Sequence, residues 1–256
     1  MTAEQTLLLI RINMMSSQII NVNHLGVITY KQEDFPKGIG VLDLERGSLS
    51  DIQKAPWQID DRLEDNVTWC IVKNPKYRSP LSVIQQLCDV VSKNGNLLLN
   101  VGPKADGSFP EEAKQTLYEI GNWLQICGEA IFETRPFVFA SEGPTKTNNS
   151  NYDIDKLDEQ LETGIDVSMD RDTYSWQDFR FTQKGNAVYA ITFGWPEKAE
   201  LVIRSFCING VLKNIREVTL LGHEPSLLFT QQEDGLHIKL PHTKPCNYAY
   251  AFRILV

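Results

Sequence analysis

The chain has 256 residues, 42% hydrophobic and 23% charged, enough for one large domain or two ordinary ones with a sizeable core. Its formal net charge of −8 argues against nucleic acid or an anionic membrane as a partner, because phosphate binding draws on basic patches. No apolar run approaches the ~20 residues that cross a bilayer.

In chain order, residues 1–11 lack a basic leader region, and their apolar run is short for a signal peptide. Either the protein is intracellular or its true N-terminus is missing; secreted, periplasmic or lysosomal placement is not legible here. Residues 11–20 show neither a clean period nor caps. Residues 26–30 form a short β-rich run, and 40–45 form another. In the second, Val41, Asp43 and Glu45 share one face while Leu42 and Leu44 take the other. Acids aimed one way at a strand end, followed by Arg46-Gly47, suit a general acid beside a cation. A solvated strand edge or a buried ion pair is the competing reading. Trp57 and Trp69 then bracket a stretch that reads as a polar loop, with Gln58, Asp60, Asp61, Glu64 and Asp65. Large apolar rings normally seek the core, so such tryptophans serve either as packing between elements or as flat platforms for sugar rings. The acidic run 60–65 reads as solvated.

Residues 80–93 carry Leu81, Val83, Ile84, Leu87, Val90 and Val91 at helical spacing, with Ser79 as cap and Gly95 as stop. The next segment, 92–107, is the most informative of the chain. Leu97, Leu98, Leu99 and Val101 make the apolar run of a strand covered on both faces. Asn100 interrupts it near the C-terminal end, Gly102-Pro103 breaks it, and Asp106-Gly107 supplies a turn. In α/β barrels the C-terminal strand ends carry the chemistry, so Asn100 points to a site. Pro110-Glu111-Glu112 opens a second helix with acids in its first turn, as the helix dipole favours. Gly128 closes it. This β–α–β–α order predicts the end of a parallel α/β architecture.

After Pro136 the texture changes to short alternating runs, among them 137–139, 179–181, 188–193, 201–204, 218–221, 236–240 and 248–254. Gly185-Asn186 and Asp234-Gly235 are hairpin signals between them. The pattern predicts an antiparallel sandwich. Residues 145–173 read as an exposed acidic loop with one helical turn at 154–161. The expected fold is therefore α/β plus β: residues 1–136 as the C-terminal part of a (β/α) barrel, 137–256 as a β-sandwich domain. A complete barrel needs about 250 residues, and only about 110 here have the α/β texture. The chain reads as the tail of a larger enzyme, its N-terminal strands missing.

Five scattered cysteines without Cys-x-x-Cys suggest reduced, buried thiols, and four dispersed histidines suggest surface or packing roles. There is no Gly-x-Ser-x-Gly, P-loop or Gly-x-Gly-x-x-Gly. Paired carboxylates with aromatics leave glycoside chemistry as the coherent enzymatic reading.

Longer motifs add a resemblance. Lys31-Gln-Glu-Asp-Phe-Pro36, Leu42-Asp-Leu-Glu-Arg-Gly47, Pro56-Trp-Gln58, Tyr77-Arg-Ser-Pro80, the whole of 89–107, Gly128-Glu-Ala-Ile131, Thr134-Arg-Pro136 and Glu142-Gly-Pro-Thr145 resemble the α-L-fucosidases of glycoside hydrolase family 29. The likeness runs from about residue 27 onward; residues 1–25 match nothing in it. It implies a retaining exo-glycosidase acting on fucosylated glycans, with no metal or cofactor. An aspartate attacks the anomeric carbon, and a glutamate first protonates the leaving oxygen and then activates water. By motif position Glu45 matches the acid/base, and Trp69 falls where the family places an aromatic against the fucose ring. Trp57 matches a motif tryptophan near the pocket, and Lys31 stands where many members carry a substrate-binding arginine. Many members have Trp-Glu where this chain has Trp57-Gln58, which strengthens Glu45. The family's nucleophile belongs to earlier strands, so the expectation is that it is absent from this chain. A non-catalytic carbohydrate-binding or structural module is the alternative. Linkage preference and oligomeric state are not legible in the sequence.

Overall fold

The computed structural model describes residues 28–31, 38–65, 69–145, 151–152 and 174–256. The unperiodic start and the helical turn expected at 154–161 lie outside them.

Alternation builds the first layer. Strands β1 (Thr29–Tyr30), β2 (Val41–Glu45), β3 (Ser48–Leu49) and β4 (Trp57–Arg62) precede helix α1 (Pro80–Ser92) and strand β5 (Gly95–Asn100). Four of these strands form a parallel sheet in the order β1-β2-β4-β5. Glu45 pairs with Asp60, and Arg62 with Asn100, so the carboxyl ends of three strands lie side by side. Strand β4 corrects the sequence reading, which took 58–65 for a solvated loop. Trp57, Ile59 and Asp61 are buried while Gln58, Asp60 and Arg62 are half-buried, the period of a strand with one covered face. The apolar pattern breaks at Asp61, which is charged yet buried. Its carboxylate is satisfied by Arg78 Nη1 at 3.1 Å and Gln86 Nε2 at 2.8 Å. Glu64 is likewise buried, accepting from the Gly102 amide at 2.8 Å.

Helix α1 starts where its sequence predicts, with the Ser79 hydroxyl accepting from the Ser82 amide at 3.1 Å and Pro80 at the first position. Helix α2 (Glu111–Cys127) follows β5, with Glu111 and Glu112 in its first turn. Strands β6 (Arg135–Glu142), β7 (Asn151–Tyr152), β8 (Phe179–Lys184), β9 (Ala187–Thr192), β10 (Glu200–Ile203), β11 (Glu217–Leu220), β12 (Phe229–Gln232), β13 (Gly235–Lys239) and β14 (Tyr250–Leu255) complete the chain. They form a five-stranded sheet, β11-β14-β9-β8-β6, and a three-stranded one, β10-β13-β12, all antiparallel. The short β7 instead pairs with β3. Both hairpin signals fall at tight turns, with Gly185 between β8 and β9 at φ +59°.

The five-stranded sheet is buried on both faces, which explains why 187–193 reads almost wholly apolar. Val188, Ala190, Phe252 and Ile254 meet Leu201, Ile203, Leu236 and Ile238 of the smaller sheet. From the opposite face Tyr189, Ile191 and Ala251 join Val83, Ile84, Ile120 and Trp123 of the helices. The core thus runs across residue 136. The Trp123 indole N–H donates to the Ala249 carbonyl at 2.8 Å, tying α2 to the far strand.

A sealed ion network makes a second tie. Asp89 of α1 accepts from Lys93 Nζ at 2.8 Å, Arg180 Nε of β8 at 2.7 Å and the Ser48 hydroxyl at 2.7 Å. Burial opposes the Asp89 charge, but Lys93 and then Arg180 outweigh it and hold the carboxyl well below the usual range. All five cysteines are free; Cys88 and Cys127 are buried, whereas Cys70 is exposed.

Candidate active site

Strands β2, β4 and β5 turn Asp43, Glu45, Gln58, Asp60, Arg62, Asn96, Leu98 and Asn100 to the face away from the helices, as strand alternation requires. A polar file crosses that face, in which Gln58 donates to Asp43 at 3.1 Å and Asn96 donates to Gln58 at 3.4 Å. At its carboxyl edge stands Glu45, the last residue of β2. The chain leaves it through Arg46 and Gly47, both left-handed at φ +65° and +77°.

Two donors hold the Glu45 carboxylate. Trp69 Nε1 donates to Oε1 at 3.1 Å, and Lys31 Nζ donates to Oε2 at 3.4 Å. Lys31 also donates to Asp60 Oδ1 at 3.4 Å, so it stands between two carboxylates that are neighbours in the sheet. The Trp69 ring is flanked by the guanidinium carbons of Arg46 at 5.6 Å and Arg62 at 5.7 Å from its centroid. Its backbone carbonyl accepts from Asn100 Nδ2 at 3.0 Å, which pins the loop carrying the ring to the end of β5. Gly102 lets that loop lie close, because a Cβ there would meet the Ile71 nitrogen at 2.7 Å.

The electrostatics follow from this crowding. Burial pushes the Asp60 carboxyl up; Lys31 opposes it, while Asp43 and Glu45 add to it. For Lys31 burial lowers the pKa, but Asp60 and then Glu45 more than compensate and the ammonium is held above its ordinary value. Arg62 is lowered by burial and by Arg46. Glu45 itself keeps 46% of its side chain in solvent. Oε1 is engaged by the indole N–H with Arg46 Nη2 at 3.9 Å, and Oε2 faces Lys31 through a long contact.

Of the sequence-predicted residues, the structure brings Glu45, Trp69 and Lys31 together, and Asn100 positions the loop beneath. Trp57 is not part of the cluster. It lies at the opposite, amino-terminal end of β4, 2% exposed, with its indole N–H donating to the Lys93 carbonyl at 3.0 Å. The packing reading describes its place, and the expected substrate contact gives way to it. Sequence reading missed Asp60 and Arg62. Their nearness to Glu45 comes from the parallel pairing of β2 with β4, which no local pattern reveals. Among the described residues no group of three or more His, Cys, Asp or Glu is placed to hold a metal ion, and no helix is long and apolar enough to cross a membrane.

A family model described as alpha-L-fucosidase matches residues 3–129, and one described as alpha-L-fucosidase C-terminal domain matches residues 171–255. The chain belongs to the α-L-fucosidase family. The first match takes in residues 3–26, correcting the expectation that the likeness starts near residue 27. The chain is 31% identical to the tissue α-L-fucosidase of Homo sapiens over 164 residues, 64% of this chain and 28% of that protein. With the plasma α-L-fucosidase of Homo sapiens it shares 29% over 177 residues, 67% of this chain and 31% of that one. It therefore spans about three-tenths of the length of these relatives. Among solved structures, an α-L-fucosidase superposes with a TM-score of 0.72 at 21% identity, covering 94% of this chain and 48% of the other. A Thermotoga maritima α-fucosidase in complex with fucose gives a TM-score of 0.66 at 22% identity, covering 93% of this chain and 46% of that one. These two likenesses speak for a shared fold.

Proposed function

We propose that this α-L-fucosidase family chain supplies the acid/base side of a site that releases terminal α-L-fucose from fucosylated glycans. The observation that carries the reading is an exposed Glu45 at the carboxyl edge of a parallel sheet, bonded to the indole of Trp69. In a retaining mechanism Glu45 protonates the departing glycosidic oxygen and later takes a proton from the water that cleaves the covalent intermediate. Trp69 offers its ring to the apolar face of the sugar, and the flanking guanidiniums keep that ring in place. Gln58 cannot donate and accept a proton in this way, which strengthens the assignment to Glu45.

The proposal assigns the covalent nucleophile to no residue of this chain. Asp60 is the nearest alternative, since Lys31 Nζ lies 3.4 Å from both its Oδ1 and Glu45 Oε2. Yet Lys31 fills the gap in which a sugar would sit, and burial favours the neutral, non-nucleophilic form of Asp60. The architecture that goes with this reading is the C-terminal part of a (β/α) barrel over 1–136 and a β-sandwich over 137–256.

The test is turnover of an aryl α-L-fucoside. The purified 256-residue chain is expected to release no aryl alcohol, and turnover that Glu45→Gln abolishes would show that the chain holds its own nucleophile. Joined to the N-terminal barrel half of a full-length relative, the chain gains activity. There Glu45→Gln lowers it about 10²–10⁴-fold. Azide, a nucleophile that needs no deprotonation, restores it. Unchanged activity in that variant refutes the acid/base assignment and leaves the binding-module reading.

A further inference from the structure

The five tryptophans differ in what their indole N–H groups do. Those of Trp57, Trp69 and Trp123 are bonded to Lys93, Glu45 and Ala249. Among the described residues, those of Trp176 and Trp195 have no hydrogen-bond partner. Both rings are half-buried, and both line one cleft of about 1060 Å³ on the antiparallel part of the molecule. Its volume lies just above the ~300–1,000 Å³ typical of small-molecule sites.

The cleft is built rigidly. Trp195 stands edge-on to Tyr250 with centroids 4.7 Å apart, and the Thr192 hydroxyl donates to the Trp176 carbonyl at 2.7 Å. A Cβ on Gly194 would meet the Trp176 nitrogen at 2.9 Å, so glycine there lets the two tryptophan-bearing segments touch. Glu142 accepts from the Arg204 and Ser205 amides, each at 2.7 Å, and so fixes the wall opposite. The lining also carries the exposed side chains of Glu197, Lys198, Glu200, Arg204 and Asp234.

Flat apolar rings whose indole donors have no partner among the described residues, bracketed by the carboxylates of Glu142, Glu197, Glu200 and Asp234 and the cations of Lys198 and Arg204, match a ligand with C–H faces and a rim of hydroxyls. A strongly anionic ligand would meet Glu197 and a chain of net charge −8. We propose that this cleft is a second glycan-binding site, for neutral oligosaccharides, sharing no residue with the Glu45 cluster and independent of the acid/base reading. It would hold a glycan on the protein without reacting with it.

The experiment titrates the full chain with 2′-fucosyllactose and with lactose, read by saturation-transfer NMR and tryptophan fluorescence. Binding of lactose, which carries no fucose for the Glu45 cluster, is expected. Trp176→Ala weakens it about tenfold, or ~1.4 kcal/mol. Glu197→Gln, on an exposed side chain that cannot unfold the protein, weakens it about threefold; it decides the matter should Trp176→Ala lose its cooperative melt. Failure of lactose to bind overturns the proposal. So does lactose binding that survives both cleft variants, or that disappears in Trp69→Ala.

Discussion

Two carboxylates in this molecule are each served by a lysine and an arginine, and their surroundings set them apart. Asp89 has 1% of its side chain in solvent, with Lys93, Arg180 and Ser48 all between 2.7 and 2.8 Å. Glu45 has 46% in solvent, with Lys31 at 3.4 Å and Arg46 at 3.9 Å. In the sealed site both carboxylate oxygens are bonded at short range, because an unpaired charge there would be costly. In the open one, water screens the charges, so long and loose contacts suffice and part of the carboxylate stays in solvent. Short contacts sealed from water hold the fold together; long, open ones leave their carboxylate in contact with solvent.

The largest expected effect breaks the sealed site. Asp89→Ala leaves Lys93 and Arg180 buried without their partner and should cost about 3–5 kcal/mol of stability in urea or thermal melts. Glu45→Gln, at the open site, should stay within about 0.5 kcal/mol. Equal losses would void the distinction. The pH dependence has a definite sign. The Asp89 pKa is depressed in the folded state, so its contribution is present above the ordinary aspartate value of ~3.9 and is lost as pH falls through the folded value. Acid titration of the unaltered chain should show this loss only below about pH 4, and Asp89→Ala should lack that component.

Neither centre was equally visible in the sequence. Helix α1 could be read from Ser79, the apolar spacing and the glycine beyond, because caps and periodicity are local. Asn100 stood out for the same reason, as a polar residue breaking an apolar run. Glu45 was marked by alternation, and its role came from the motif around it. Strand β4 was missed because Asp61 is a charge buried where the period asks for an apolar side chain, its partners being Arg78 and Gln86 further along the chain. The Asp89–Arg180 pair joins residues 91 positions apart, from a helix to a strand of the five-stranded sheet, and no window of sequence contains it. Local rules see elements and their ends. They do not see which charges the packing will bring together.

A middle-sized effect belongs to Gly95. A Cβ on this residue would meet the Trp57 ring at 2.5 Å and Val90 at 2.7 Å. Gly95→Ala must therefore displace a buried indole that is also bonded to Lys93, at a cost of about 1–3 kcal/mol. Because Trp57 sits at the far end of β4 from Glu45, the loss should appear in the melt while sugar binding at Trp69 is unaltered in the folded protein. A change in that binding without a change in stability would return Trp57 to the substrate side.

The smallest effect probes the open site from within. Lys31 keeps 42% of its side chain in solvent, so its bridges to Glu45 and Asp60 contribute at most about 1 kcal/mol, and Lys31→Met should scarcely move the melt. Its consequence lies in titration. Burial already raises the Asp60 carboxyl, and Lys31 is the opposing charge. Without the ammonium, the Asp60 pKa should climb further, read by carboxyl-carbon NMR. A raised folded pKa makes the stability from protonated Asp60 fully present below the ordinary value and lost as pH rises through the folded one. The variant should therefore gain relative stability toward acid, opposite in sign to the Asp89 effect. If Asp60 does not move when Lys31 is removed, the two carboxylates are not joined through that lysine, and the site is Glu45 and Trp69 alone.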